Sequence, residues 1–336
     1  MKRDEAILRV LLDADRNFIA PMDLAGRAAL ATEELDARLD ALRKRGFDFE
    51  RHPMLGIRLA ELPEGLTPEE IGARLPAERT VGQTIHLLAE TSSTNDAAAR
   101  LAEQGATEGT LVFAEAQTAG RGRHGRIWIS PAGKGLWFTL LLRPKLSPIA
   151  ASRITVMTGV AVANALRRAT GLPIRIKWPN DLLCRGRKLA GILTELKIEG
   201  ARLVHALVGV GVNVNLDRRD FSNELRDAAG SLKLEAERAF SRATLAAAIL
   251  REIEARRNCL DDASFPAIVE EWIALDETLG RQICVRSPDG RRFGQAAGLD
   301  LDGALLLRLD DGRIERVHGG DVSIERASTG SFPLPK

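Results

Sequence analysis

Gln117 to Pro131 reads Q-T-A-G-R-G-R-H-G-R-I-W-I-S-P, with glycines at 120, 122 and 125 set between Arg121, Arg123, His124 and Arg126. Glycine frees the backbone to take positive φ, and the interleaved guanidinium groups supply cationic donors, so the stretch is suited to an anion. It contains G-x-G-x-x-G, which in a dinucleotide-binding unit joins a strand to a helix. Thr110 to Ala116 suit the strand. Arg126 to Ser130, however, alternate and carry β-formers, which predicts a second strand where that helix would have to begin. A Walker A loop is excluded, because no G-x-x-x-x-G-K-[ST] occurs in the chain. What remains is a Gly/Arg loop between two strands, able to close guanidinium forks on a phosphate. A basic, solvated hairpin tip is the alternative.

Working outward, Ser93-Thr94-Asn95 opens a helix upstream of the loop. Downstream come K-W-P-N-D (Lys177 to Asp181), K-L-A-G-I-L-T-E (Lys188 to Glu195) and G-V-G-V-N-V-N (Gly209 to Asn215). In this order the set closely resembles the biotin protein ligases. The whole chain resembles their bifunctional bacterial type, in which a ligase carries an N-terminal winged helix-turn-helix and serves as the biotin operon repressor.

The remaining pattern fits three units. Apolar spacing predicts a helix from Ala6 to Leu12, one from Pro21 to Ala29, and one from Glu33 to Arg45 capped by Thr32, with Leu35, Leu39 and Leu42 on one face. Residues 47–59 then read as a two-stranded wing, giving a winged helix-turn-helix over 1–65. Residues 62–76 carry three prolines and a short helix capped at Thr67, a linker into a catalytic unit over 66–276. There the pattern predicts strands at Val81 to Glu90, Lys134 to Pro144 and Leu203 to Asn215. It predicts helices at Ile149 to Thr170, Ser241 to Leu260 and Phe265 to Leu275, with Gly171 ending the first and Ser241 or Thr244 and Ser264 as caps. Between Leu279 and Glu325 short strands alternate with turns such as S-P-D-G and two further Asp-Gly pairs, predicting a small β-barrel over 277–328. By resemblance the class is α+β: a mixed sheet similar to the class II aminoacyl-tRNA synthetases, flanked by the winged unit and an SH3-like barrel.

Composition excludes several classes. The 336 residues are 45% apolar and 28% charged with formal net charge +2, so no global field calls for nucleic acid and any DNA contact must be a local patch. Cys184, Cys259 and Cys284 are odd in number and far apart, which suits reduced thiols in the cytoplasm, and the five histidines show no metal-ligand spacing, so no structural metal is expected. The N-terminus lacks a signal-like apolar core, and no apolar run long enough to cross a membrane is expected.

The resemblance also implies a chemistry. Biotin attacks the α-phosphate of ATP, carried with Mg2+, to give biotinyl-5′-adenylate, and a lysine of the biotin carboxyl carrier protein of acetyl-CoA carboxylase then takes the acyl group. Operator DNA and a second copy of the chain are the other implied partners. Ser93, Thr94 and Asn95 are implied to lie against the ureido ring, although helix capping explains the same residues. Gln117, Arg121, Gly122, Arg123, Lys177, Gly191, Gly209 and Gly211 complete the implied biotin site. Arg121, Arg123, Arg126, Trp128, Lys177, Asn180 and Asn213 form the implied ATP and adenylate site. Two anions must be brought together, so cationic groups have to offset their repulsion and the charge growing on phosphorus; Lys177, Arg123 and Arg121 are the catalytic candidates. Lys177 stands at a strand end beside Trp178, where a snorkelling surface lysine is the other reading. Gly191, Gly209 and Gly211 let backbone approach a ligand, or simply pack. Loop closure would keep water from the mixed anhydride, so Thr118 to Arg126 are expected to order over the adenylate. Leu216 to Glu237 is polar, with Phe221 and Leu225 its few anchors, and contains no tryptophan to cover the adenylate.

For DNA, the helix-turn-helix would be Pro21 to Asp40 with Arg38 and Arg43, yet Glu33, Glu34, Asp36 and Asp40 crowd the recognition helix. Carboxylates facing phosphates forfeit the counterion-release contribution, so operator binding and a purely packing role both stay open. A lipoate-protein ligase and a biotin-sensing regulator without ligase activity are the alternatives for the chain as a whole.

Overall fold

Apolar spacing builds the first elements much as the sequence predicts. In the computed structural model, which describes residues 3–287 and 290–324, α1 (Arg3–Asp13), α2 (Pro21–Arg27) and α3 (Thr32–Arg43) precede a hairpin of β1 (Asp48–His52) and β2 (Gly56–Glu61). Leu35, Leu39 and Leu42 bury against Ile7, Leu8 and Leu11 in a core of their own. Thr32 is the first residue of α3 rather than its cap, and Ala31 before it makes no side-chain cap bond. Next, α4 (Pro68–Ala73) is capped by Thr67, whose Oγ1 accepts from Glu70 N at 3.2 Å. It joins two cores, since Ala73 packs with α1 while Ile71 packs with the central unit.

The central sheet contains β3 (Ile85–Thr91), β4 (Leu111–Gln117), β5 (Leu136–Leu142), β6 (Ile174–Lys177), β7 (Asp181–Cys184), β8 (Arg187–Glu199) and β9 (Arg202–Val212). Their spatial order is β3-β4-β5-β9-β8-β7-β6, and only β3 with β4 is parallel, so the sheet is mixed. Every residue of β5 is buried, as a central strand requires. The helices are α5 (Thr94–Glu103), α6 (Ser152–Thr170), α7 (Leu232–Ala236), α8 (Arg242–Arg256) and α9 (Phe265–Leu275). Gly171 ends α6 at φ +75°. Gly159 lets α6 approach Trp272, whose ring would lie 2.8 Å from a Cβ placed there.

Besides Thr32, four expectations need correction. Residues 126–130 form no strand: they make only the isolated bridges Gln117↔Ser130 and Arg121↔Ile127, because the Gly122 N to Arg126 O bond at 2.7 Å turns the loop back on itself. The first central strand begins at Ile85, not Val81. Ser264 flanks α9 without a side-chain cap; Asp261 Oδ1 accepts from Ser264 N at 2.8 Å instead. Finally, Pro148–Thr170 is long and apolar enough to cross a membrane by composition, but most of that run is buried between sheet and helices, which accounts for its apolarity.

The C-terminal sheet is antiparallel, with β10 (Gln282–Ser287), β11 (Gly290–Leu299), β12 (Leu305–Arg308), β13 (Ile314–Val317) and β14 (Asp321–Ile324) in the order β13-β12-β11-β10-β14. Gly303 and Gly312 take positive φ after Asp302 and Asp311, as Asp-Gly turns demand. The S-P-D-G turn at Pro288 and Asp289, and Glu325 onward, lie outside the described residues. Trp178 Nε1 donates to Gly303 O at 3.2 Å and Arg153 Nη2 to Asp302 Oδ1 at 3.0 Å, fixing this sheet beside the end of β6.

Candidate functional site

A cleft of about 420 Å³ opens where the start of α5, the Gly/Arg loop, the β6–β7 turn, the glycine-bearing parts of β8 and β9, residues 221–229 and β14 converge. All of the residues proposed above for biotin or adenylate line it, from Ser93 to Asn213. Pro21 to Asp40, with the surface arginines Arg38 and Arg43, belong to the N-terminal unit and none of them lines the cleft.

One end of the cleft is neutral and heavily hydrogen-bonded. Ser93 caps α5, its Oγ accepting from Asn95 N at 3.3 Å. Gln117 Oε1 accepts from Thr94 N at 2.9 Å and Thr94 Oγ1 at 3.2 Å, while its Nε2 donates to Ser130 Oγ at 2.8 Å. Asn95 Nδ2 donates to Glu195 Oε2 at 2.8 Å, and the buried Thr139 hydroxyl lies 2.6 Å from Asn95 Oδ1 and 2.8 Å from Thr94 Oγ1. These bonds fix which way each amide points, so donors and acceptors are set before any ligand arrives.

The floor is glycine, and of the two readings open from the sequence the structure favours packing. Gly191 and Gly211 pair across β8 and β9, and a Cβ at Gly211 would lie 2.5 Å from Trp128 Nε1; one at Gly209 would lie 2.5 Å from Asn95 Oδ1. The glycines therefore make room for protein side chains that shape the cleft. Trp128 Nε1 is buried and has no hydrogen-bond partner among the described residues.

The cations fall into two groups. Arg121 donates to both oxygens of Asp96, Arg126 pairs with Asp321 of β14, and Lys188 Nζ lies 2.6 Å from Asp181 and 5.2 Å from the Trp128 ring centre. Arg123 and Lys177 make no ion pair among the described residues. Arg123 donates only to neutral oxygens, Gly320 O at 3.1 Å and Asn180 Oδ1 at 3.4 Å. Burial, with Arg126 adding to it, holds the Arg123 guanidinium below its usual pKa against the pull of Asp321 and Asp181. A half-buried guanidinium whose own hydrogen bonds go only to neutral oxygens favours an incoming anion.

The amides of Asn180 and Asn213 are already in use: Asn180 Nδ2 donates to Ile192 O at 2.7 Å and Asn213 Nδ2 to Gly230 O at 2.9 Å. Sequence reasoning left out Asp181, Lys188, Phe221, Leu225 and Asp321 as site residues, although all line the cleft. Lys188 was detectable, since it begins a motif already recognised; Asp321 was not, because it reaches the loop from the C-terminal sheet.

Known proteins resemble the chain over most of its length. Residues 87–213 match the Biotin/lipoate A/B protein ligase family, and residues 278–324 match the Biotin protein ligase C terminal domain. The bifunctional ligase/repressor BirA of Bacillus subtilis is 34% identical over 318 residues, covering 95% of this chain and 97% of the relative. That of Escherichia coli is 31% identical, covering 97% and 99%. A solved biotin protein ligase from Aquifex aeolicus, in complex with biotin and ATP, superposes with a TM-score of 0.63 at 29% identity, covering 73% of this chain and 100% of that one.

Proposed function

The chain belongs to the biotin protein ligase family, and we propose that it activates biotin with Mg-ATP and transfers it to a lysine of a biotin carboxyl carrier protein in the cytoplasm. The observation that carries this reading is the pairing of a pre-oriented neutral end with two cations, Arg123 and Lys177, that make no ion pair among the described residues, in one cleft. A neutral urea needs donors and acceptors; a carboxylate and a phosphate need positive charge.

In the first half-reaction a biotin carboxylate oxygen attacks the α-phosphorus, the bond to pyrophosphate breaks, and pyrophosphate leaves with the electron pair. In the second, the carrier amine attacks the acyl carbon, loses a proton, and AMP departs with the electrons of the broken C–O bond. Ser93, Thr94 and Gln117 orient the ring, while Asn95 acts through its bonds to Glu195 and Thr139. Arg123 and Lys177, with Lys188, take the carboxylate and phosphate charge. Phe221, buried against Trp137 and Leu216, supports the apolar wall in place of a tryptophan. Positioning and charge neutralisation carry the chemistry.

The three helices and hairpin of the N-terminal unit serve as a winged helix-turn-helix binding operator DNA as a homodimer. The central sheet is of the class II synthetase kind, and the C-terminal sheet is an SH3-like barrel. ATP-dependent transfer of labelled biotin to a carrier lysine tests the catalytic reading, with Lys177→Ala, Lys188→Ala and Arg123→Ala beside wild type. Transfer of lipoate but not biotin makes the chain a lipoate ligase; biotin binding with neither adenylate nor conjugate makes it a regulator.

A further inference from the structure

The segment between β9 and α8 has two parts with different attachments. Residues 217–225 reach over the cleft, with Phe221 in an aromatic cluster and Lys134 Nζ bonded to Asp220 Oδ1 at 2.7 Å. Residues 228–236 form a base woven into the sheet. Lys188 N donates to Ala228 O at 2.8 Å, and Gly230 N donates to Lys188 O at 3.0 Å, so the backbone of this cleft lysine is bonded by the base through both its groups. The fully buried Ser231 Oγ donates to Leu216 O at 2.7 Å and caps α7 at Leu234 N, 3.1 Å away.

Glu235 is the unexplained member of this base. Its side chain is 2% exposed, and its carboxylate pairs with Arg187 at 2.9 Å and Arg185 at 3.1 Å. Both arginines stand just ahead of Lys188 where β7 turns into β8. A buried carboxylate is costly unless paired, and here the two partners are the more exposed side, with Arg185 and Arg187 side chains 60% and 40% exposed, so the buried Glu235 is the fixed point to which both guanidinium groups are tied.

We propose that Glu235 is a positioning residue that clamps Arg185 and Arg187, locking the base of the cover segment to β8 so that the cover and the Lys188 ammonium keep one fixed relative position. What the cleft does is taken from the ligase reading above; the clamp itself is independent of it. Lys188 Nζ lies between Asp181 and the face of Trp128. A backbone shift at 188 therefore moves a cation and loosens the cover together, at a site where the adenylate must stay aligned and dry.

Glu235→Gln in the full-length chain tests the clamp, because it keeps the shape and leaves the arginines facing a neutral amide. Hydrogen exchange at the Lys188 and Gly230 amides is expected to rise about tenfold or more. The kcat for adenylate formation should fall by about tenfold while the biotin KM stays within about twofold, since Ser93, Thr94 and Gln117 at the ring end sit on α5 and β4 and meet β8 only at its far part, through Asn95 and Glu195. Adenylate lost to hydrolysis instead of transfer should increase, and Glu235→Asp should recover part of each change. Unchanged exchange at both amides overturns the clamp whether or not the chain ligates biotin. Faster exchange with kcat and hydrolysis unaltered overturns the positioning role. Should Glu235→Gln fail to fold, Arg187→Lys keeps the charge but gives up the guanidinium fork, and the same readouts apply with smaller amplitude. A wild type that makes no adenylate refutes the ligase reading alone, because the exchange measurement still decides the clamp.

Discussion

Arg121 and Asp96 face each other through two hydrogen bonds, Nη1 to Oδ2 at 2.9 Å and Nη2 to Oδ1 at 2.6 Å. The Arg121 bond holds the Asp96 carboxyl below the usual carboxylate range, and Glu195 lies 3.5 Å from the same guanidinium. One arginine of the loop thus already has its anion, whereas Arg123 meets only neutral oxygens. Arg123→Ala is expected to slow adenylation by about 10²–10³, and Arg121→Ala by about tenfold or less. Single-turnover pyrophosphate release measures both; equal losses would show that the ion pairing does not separate their roles.

The Trp128 indole rests on Gly211, where a Cβ would lie 2.5 Å from Nε1 and 2.6 Å from Cε2. A methyl group there has to push the indole off the floor, since the other side is strand backbone. Gly211→Ala should weaken biotin binding by about tenfold or more, the overpacking cost of about 1–3 kcal/mol expressed as lost affinity. Calorimetric titration checks this, and an affinity within about twofold of wild type would place the ligand away from Trp128.

The N-terminal arginines are largely neutralised by their own surface. Arg51 pairs with Asp36, Arg43 with Asp40 at 2.8 Å, and Arg3 with Glu34 at 2.6 Å. Asp36→Asn with Asp40→Asn releases two guanidinium groups. If α3 and the hairpin face DNA, affinity should rise and the slope of log K against log salt should steepen by about 1–2. Fluorescence anisotropy on duplex DNA over a salt series reads both. An unchanged slope would mean that this face does not meet phosphate.

The order of motifs made the cleft legible, because each motif sits at a strand end or helix start that the sheet brings together. What escaped depends on register or on distant segments. Asp181 reaches Lys188 only because β7 and β8 pair antiparallel, and Asp321 meets Arg126 across 195 positions of chain. The error at 126–130 has a physical cause too: I-W-I alternates as a strand would, with Ile127 outward and Trp128 inward. Without a continuous neighbour it gained bridges but no ladder.

His205 on β9 is buried, and its Nδ1 has no partner among the described residues. Burial first, then Arg143 and Lys197, push its pKa below the ordinary value near 6.5. The folded chain therefore binds fewer protons than the unfolded one just below that value. Stability from the neutral ring is complete above the unfolded pKa and is lost as pH falls through the lower folded pKa. His205→Phe should flatten the dependence of the urea midpoint on pH between about 7 and 5. A variant that keeps the wild-type slope would assign it to other groups.

Glu5 of α1 and Arg79 ahead of β3 form a pair at 2.8 Å, with side chains only 3% and 5% exposed. Arg79 also donates to Pro76 O at 2.7 Å and Gly82 O at 3.2 Å, and Gly72 leaves room for the carboxylate, since a Cβ there would lie 2.5 Å from Glu5 Cδ. Removing one partner strands a buried charge, so Glu5→Ala should destabilise by about 3–5 kcal/mol, and Glu5→Ala with Arg79→Met should recover most of that loss. Because the pair joins the N-terminal core to the segment entering the central sheet, the single substitution should also separate melting into two calorimetric transitions, the earlier one belonging to the helices and hairpin. One transition with an unshifted midpoint would mean that the remaining contacts, apolar packing of α1 on α4 together with the Arg9 bonds to Gly72 O and Leu75 O, hold the two cores together.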